Sequence, residues 1–194
     1  MHHQLGAHEV MEVHEVLTNT IDCINKLRVL RPHARDQRLG QIMDRQLNHA
    51  EQEYQNMVSL ISHHRGVSVE PYHTSINTDV HYGLRNPSPF APNETANQVH
   101  DRDIASILLG GAKATTSLRM RAALECADPQ IRRMIIQSSV SSAEMAYETF
   151  CYMNERGMYQ VPTMPMRTES NFIGAYQTNP GAIAGGFRNF NQLS

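Results

Sequence analysis

Four stretches of the chain repeat apolar side chains at three- and four-residue spacing, the mark of helices that bury one face. The first opens near Ala7 and carries Val10, Val13, Leu17, Ile21, Ile24 and Leu27 to about residue 31, with Pro32 as its stop. The second, about 36–65, starts at Asp36, whose carboxylate suits a helix N-cap. It carries Leu39, Met43, Leu47, Ala50, Met57 and Ile61, and Gly66 supplies the left-handed residue that ends it. The third, about 101–126, carries Ile104, Ile107, Leu108, Ala114, Leu118 and Leu124. Its middle, Gly110-Gly111-Ala112, costs about 1 kcal/mol per glycine relative to alanine, so it predicts a close neighbouring backbone or a bend. The fourth, about 129–156, has the sharpest start. Asp128 caps, Pro129 fits the first helical position, and Ile131, Met134, Ile135, Met145, Phe150, Tyr152 and Met153 follow before Gly157.

The turns between the first and second helices and between the third and fourth are short, and short turns make antiparallel neighbours. Between the pairs, residues 67–99 lack helical periodicity and hold Pro71, Pro87, Pro89 and Pro92, which withhold amide donors. They predict a crossover lying on the surface. The expected fold is all-α: a ferritin-like four-helix bundle of two antiparallel hairpins over residues 1–157, with one long crossover between the second and third helices. Residues 158–194 read as an extended C-terminal arm. Its recurring apolar residues, Tyr159, Met164, Met166, Phe172, Tyr176, Phe187 and Phe190, are too sticky for a solvated linker and predict docking, including across subunits.

Composition narrows the function classes. A net charge of −2 points to neither nucleic acid nor an anionic membrane surface. No apolar run reaches the roughly 18 residues of a membrane span, and the N-terminal residues hold no apolar signal core, so the chain is expected to stay inside the cell that makes it. Eleven Met with no Trp suit a core of flexible aliphatic side chains. Eleven His make the charge sensitive to pH between about 5 and 7. Cys23, Cys126 and Cys151 are widely spaced and odd in number, so free thiols are expected.

A ferritin-like bundle raises the question of a dinuclear metal centre, which needs a Glu from each of two helices and a Glu-x-x-His from each of the others. No Glu-x-x-His lies in a predicted helix. The nearest substitutes are His49 with Glu53 and Glu144 with Glu148, each pair four apart and so on one helical face. His14 and Glu15 lie in the first helix, while the third offers only Lys113, Ser117 and Arg119 near its centre. Glu53 falls close to the apolar stripe, where Arg or His can pair it without metal. No catalytic residue, cofactor or metal is therefore expected. Ser138, Ser139, Ser141 and Ser142 read as a small-residue strip for close helix approach, and His2-His3 and His63-His64 as solvated ends.

Ile131-Arg132-Arg133, then Ala143-Glu144-Met145-Ala146-Tyr147-Glu148, then Tyr152-Met153-Asn154-Glu155-Arg156-Gly157-Met158-Tyr159-Gln160-Val161-Pro162 resembles the Coat F family of bacterial spore coat proteins. The resemblance implies a ferritin-like helical fold, synthesis in the sporulating mother cell and deposition in the coat. It carries over no catalytic residue. The expected function is a structural, self-associating coat component whose partners are itself and other spore coat proteins. The alternatives are a di-metal oxidase or catalase relative, and a ligand-binding protein with an apolar cavity near Gly110-Gly111. All seven tyrosines are candidate cross-linking positions.

Overall fold

The computed structural model describes residues 5–63, 69–76, 79–87 and 89–176. The expected helix stop at Gly66, the paired histidines His2, His3 and His64, and the arm residues Phe187 and Phe190 lie outside the described residues. The described residues form an all-α protein with helices α1 (Ala7–Leu30), α2 (Gln37–His63), α3 (Asp101–Glu125), α4 (Pro129–Glu155) and α5 (Met166–Gly174). Among them, extended pairing is limited to isolated bridges of Val161 with Tyr82 and Gly83.

Side-chain caps set the starts. Asp128 accepts from the amides of Gln130 (2.8 Å) and Ile131 (2.9 Å), and Asp36 accepts from those of Arg38 (2.8 Å) and Leu39 (3.1 Å). Each satisfies two of the amides that a helix start leaves unpaired. Gly157, at φ +70°, turns the chain out of α4 in a conformation that costs other residues about 1 kcal/mol or more.

Acidic side chains also tie ends together. The Asp101 carboxylate accepts from the amides of Arg35 and Asp36, joining the start of α3 to the α1–α2 turn. Buried Glu9, in the first turn of α1, accepts from the Asp128 amide at 2.8 Å. Arg38 with Glu155 and Arg156 with Asp36 bring the end of α4 to the start of α2. These ties make α2 and α4 antiparallel, and likewise α1 and α3. Each of the four long helices packs against two others: α1 on α2 and α3, and α4 on α3 and α2.

The core has two apolar halves. One gathers Leu27, Leu39, Ile42, Met43, Ile104, Leu108 and Tyr152; the other gathers Val13, Val16, Met57, Leu60, Ala122, Ile131 and Ile135. Along every long helix a polar stretch lies between them: Thr20 on α1, Gln46 to Glu53 on α2, Thr115 and Arg119 on α3, Ser138 to Ser142 on α4, all including buried residues.

Several expectations are corrected. Val10, Ile21, Ile107 and Leu124, assigned to the apolar stripes, are exposed. The crossover does not merely lie on the surface, because Tyr72 and Ile76 are buried, Ile76 within the first apolar half. The arm is not extended throughout: Pro165 opens α5, accepting from the amides of Thr168 and Glu169, and Met166–Gly174 are helical and exposed. Gly111 admits a side chain, not a backbone. A Cβ there would stand 2.5 Å from the Lys26 Nζ of α1, whereas one on Gly110 would meet nothing within 4 Å. The cavity beside Gly111 has a volume of about 40 Å³, enough for a single water. Gly110→Ala is expected to stabilise the fold by about 0.5–1 kcal/mol, read as a higher urea midpoint by circular dichroism. Gly111→Ala gains less, since Lys26 must move.

Candidate functional site

Two buried carboxylates anchor the polar stretch. Glu53, on α2, meets the buried guanidinium of Arg119 from α3, with Nη1 3.0 Å from Oε2. Arg119 reaches every wall: Nη1 also donates to the Ser138 carbonyl (3.1 Å) and Ser142 Oγ (2.8 Å) of α4, and Nη2 to Thr20 Oγ1 (3.0 Å) of α1. Small residues at 20, 138 and 142 leave room for a guanidinium at the centre. His49 Nε2 lies 3.3 Å from Glu53 Oε1 without hydrogen-bond geometry, and its ring meets Tyr72 edge-on at 5.3 Å.

Glu148, on α4, is fully buried and holds the crossover. One oxygen accepts from the Tyr72 hydroxyl. The other accepts from Arg45 Nη2 (2.8 Å), the Ser75 amide (3.0 Å) and the Ser75 hydroxyl (2.9 Å). Burial pushes this carboxyl up, but the bonds from Tyr72, the Ser75 amide, Arg45 and the Ser75 hydroxyl outweigh it and hold Glu148 below the ordinary glutamate value. Burial, then the Glu148 charge, raises the Tyr72 phenol well above its ordinary value, so it stays a donor. The attachment continues up α4. Ser141 Oγ accepts from the Tyr72 amide, Glu144 from that of Thr74, and Asn154 exchanges hydrogen bonds with the His81 backbone at 2.7 and 3.0 Å.

Among the predicted metal candidates, then, His49 and Glu53 sit together beside Arg119, while Glu144 and Glu148 face the crossover. This donor set does not fit a dinuclear centre. α3 contributes a guanidinium where a carboxylate would be needed, and Glu148 already accepts five hydrogen bonds, the fifth from Gln46 Nε2 at 3.4 Å. Among the described residues no three His, Cys, Asp or Glu side chains converge as ligands. His14 and Glu15 are exposed. The free thiols are packed: Cys126 is buried, its pKa pushed up to about 11 by burial and by Glu9 and Glu12 nearby, and Cys151 is buried too. The serine strip serves packing and bonding, with Ser139 Oγ donating to the Thr116 carbonyl at 2.9 Å. Sequence reasoning missed Ser75, Arg45 and Thr20 and read Tyr72 only as a cross-linking position, because their partners lie far away along the chain.

In the arm, Tyr159, Met164, Met166, Phe172 and Tyr176 are all exposed, Tyr176 by 84%. Tyr159 packs edge-on to Phe150 at 5.3 Å, with the Lys113 ammonium 5.3 Å from its ring centroid. Of the tyrosines proposed for cross-linking, Tyr72 and Tyr152 are buried and out of reach.

Residues 100–162 match the family model described as the Coat F domain. The chain is 30% identical over 161 residues to "Spore coat protein F-like protein YhcQ" of Bacillus subtilis (strain 168), an alignment spanning 82% of this chain and 74% of that protein. No solved structure matches the chain. The matched span takes in α3, α4, Glu148 and the Gly157 exit, and together with the similarity over most of the chain it makes this protein a member of the Coat F family.

Proposed function

We propose that this protein is a structural component of the bacterial spore coat, made in the mother cell and built into the coat through contacts with copies of itself and with other coat proteins. Its work is packing rather than catalysis. Residues 1–157 form a ferritin-like four-helix bundle, a reading supported by the antiparallel neighbours and by a crossover tied to α4 between the two ends of the bundle. Residues 158–194 act as the arm.

The observation that carries the self-association is the run of exposed apolar side chains from Met164 to Tyr176. A nine-residue helix is too short to persist alone in water, and leaving Met166, Phe172 and Ile173 solvated gives up about 25 cal/mol for each Å² they could bury. A second subunit is the partner this reading supplies. Size-exclusion chromatography with light scattering on the full chain and on a chain ending at Gly157 tests it. The full chain is expected to form oligomers that grow with concentration and the shortened one to lose them. Two monomeric species would refute self-association through the arm.

A further inference from the structure

A cleft of about 450 Å³ opens between α2 and α4, beside the start of the crossover. Its size falls within the range of small-molecule sites. Three residues of its lining carry buried polar atoms without a hydrogen-bond partner: His49 Nε2, Asn56 Oδ1 and Ser138 Oγ. An unsatisfied buried polar atom costs about 1–3 kcal/mol, so three on one cleft constitute an unmet demand for hydrogen bonds.

The chemistry of the lining specifies what would meet that demand. Asn56 Oδ1 accepts only, and so calls for an N–H or O–H; Ser138 Oγ can donate to a carbonyl; His49 Nε2 does either according to tautomer. The charge of Glu53 is already matched by Arg119. That leaves Arg133 on α4 and Glu70 on the crossover, one cation and one anion. Both are exposed, and neither has an ion-pair partner among the described residues. The apolar part of the wall is aliphatic and sulfur-bearing, from Met57, Leu60, Val69 and Met134. Among the described residues the lining includes no Phe, Tyr or Trp ring on which a base or sugar would stack, the His49 imidazole being packed edge-on against Tyr72, and a phosphate would find a single cation opposed by Glu70.

We infer that this cleft binds a short zwitterionic peptide of about two residues, with its carboxylate on Arg133, its ammonium on Glu70, its amide group on Asn56, Ser138 and His49, and an aliphatic side chain against Met57, Leu60 and Met134. The site goes beyond the structural role in the coat and does not depend on it.

Isothermal titration of the full chain with the dipeptide Ala-Leu tests the assignment, using N-acetyl-Ala-Leu-amide and free leucine as comparisons. Saturable binding is expected for Ala-Leu up to about 10 mM, a range that detects millimolar dissociation constants. The uncharged analogue and free leucine are expected to bind at least about tenfold more weakly. Arg133→Gln and Glu70→Gln, at exposed positions that leave the circular dichroism spectrum unchanged, are each expected to weaken Ala-Leu by about tenfold. Failure of Ala-Leu to bind would overturn the assignment. So would equal binding of the uncharged analogue or of leucine, or unchanged affinity in both variants.

Discussion

Glu148→Ala is expected to destabilise the protein by about 3–5 kcal/mol, the range for breaking a buried, hydrogen-bonded charge pair by removing one member. The loss exceeds one ion pair because the carboxylate also satisfies the Tyr72 hydroxyl and the Ser75 amide, and both lose their acceptor. Arg45 is partly exposed and can turn to water, so the cost falls on the crossover. Limited proteolysis should therefore cut the variant between residues 67 and 99 well before the parent. The acid response has a defined sign. The folded Glu148 holds its proton less tightly than an unfolded glutamate, so its contribution is present above about pH 4.3 and is lost as pH falls through the lower folded value. Glu148→Gln should be less stable than the parent at neutral pH, yet lose less further stability between about pH 5 and pH 2. Parallel acid profiles, measured by urea unfolding, would refute the role given to Glu148.

Arg119→Met is the second large effect, also about 3–5 kcal/mol, because it strands the Glu53 carboxylate in the core beside His49. Thr20 Oγ1, Ser142 Oγ and the Ser138 carbonyl lose a donor at the same time. Adding Glu53→Leu should restore most of the stability, since apolar replacement of a whole buried pair is often neutral or favourable. A double-mutant cycle from urea midpoints reads the coupling directly. If Arg119→Met alone cost less than about 1 kcal/mol, the guanidinium would not be the element joining the four helices.

The helix starts were legible in the sequence because capping chemistry is local: Asp36, Asp128 and Pro129 sit where their neighbours' amides need them. The buried face was less legible. Thr20, Ser142 and Thr149 are buried because their hydroxyls donate to carbonyls four residues back, at 2.8, 3.0 and 2.9 Å, and an apolar pattern counts them as surface. Val10, Ile21, Ile107 and Leu124 show the converse, since a periodic stripe does not mark where its edge meets solvent. Glu53 was legible as a carboxylate near the core, and Arg119 as a poor ligand at the same level. Their pairing depends on how helices far apart in sequence face one another. The hold of Tyr72 and Ser75 on Glu148 was out of reach for the same reason, because an aperiodic segment carries no signal of which residues turn inward.

Whether these packing features serve a coat is decided by where the protein ends up. Immunogold labelling of thin-sectioned mature spores from the source organism, with an antibody against the full chain, is expected to place the label over the coat layers and leave the core bare. Label confined to the spore core, or present equally in vegetative cells and absent from the coat, would remove the basis for reading this protein as a coat component.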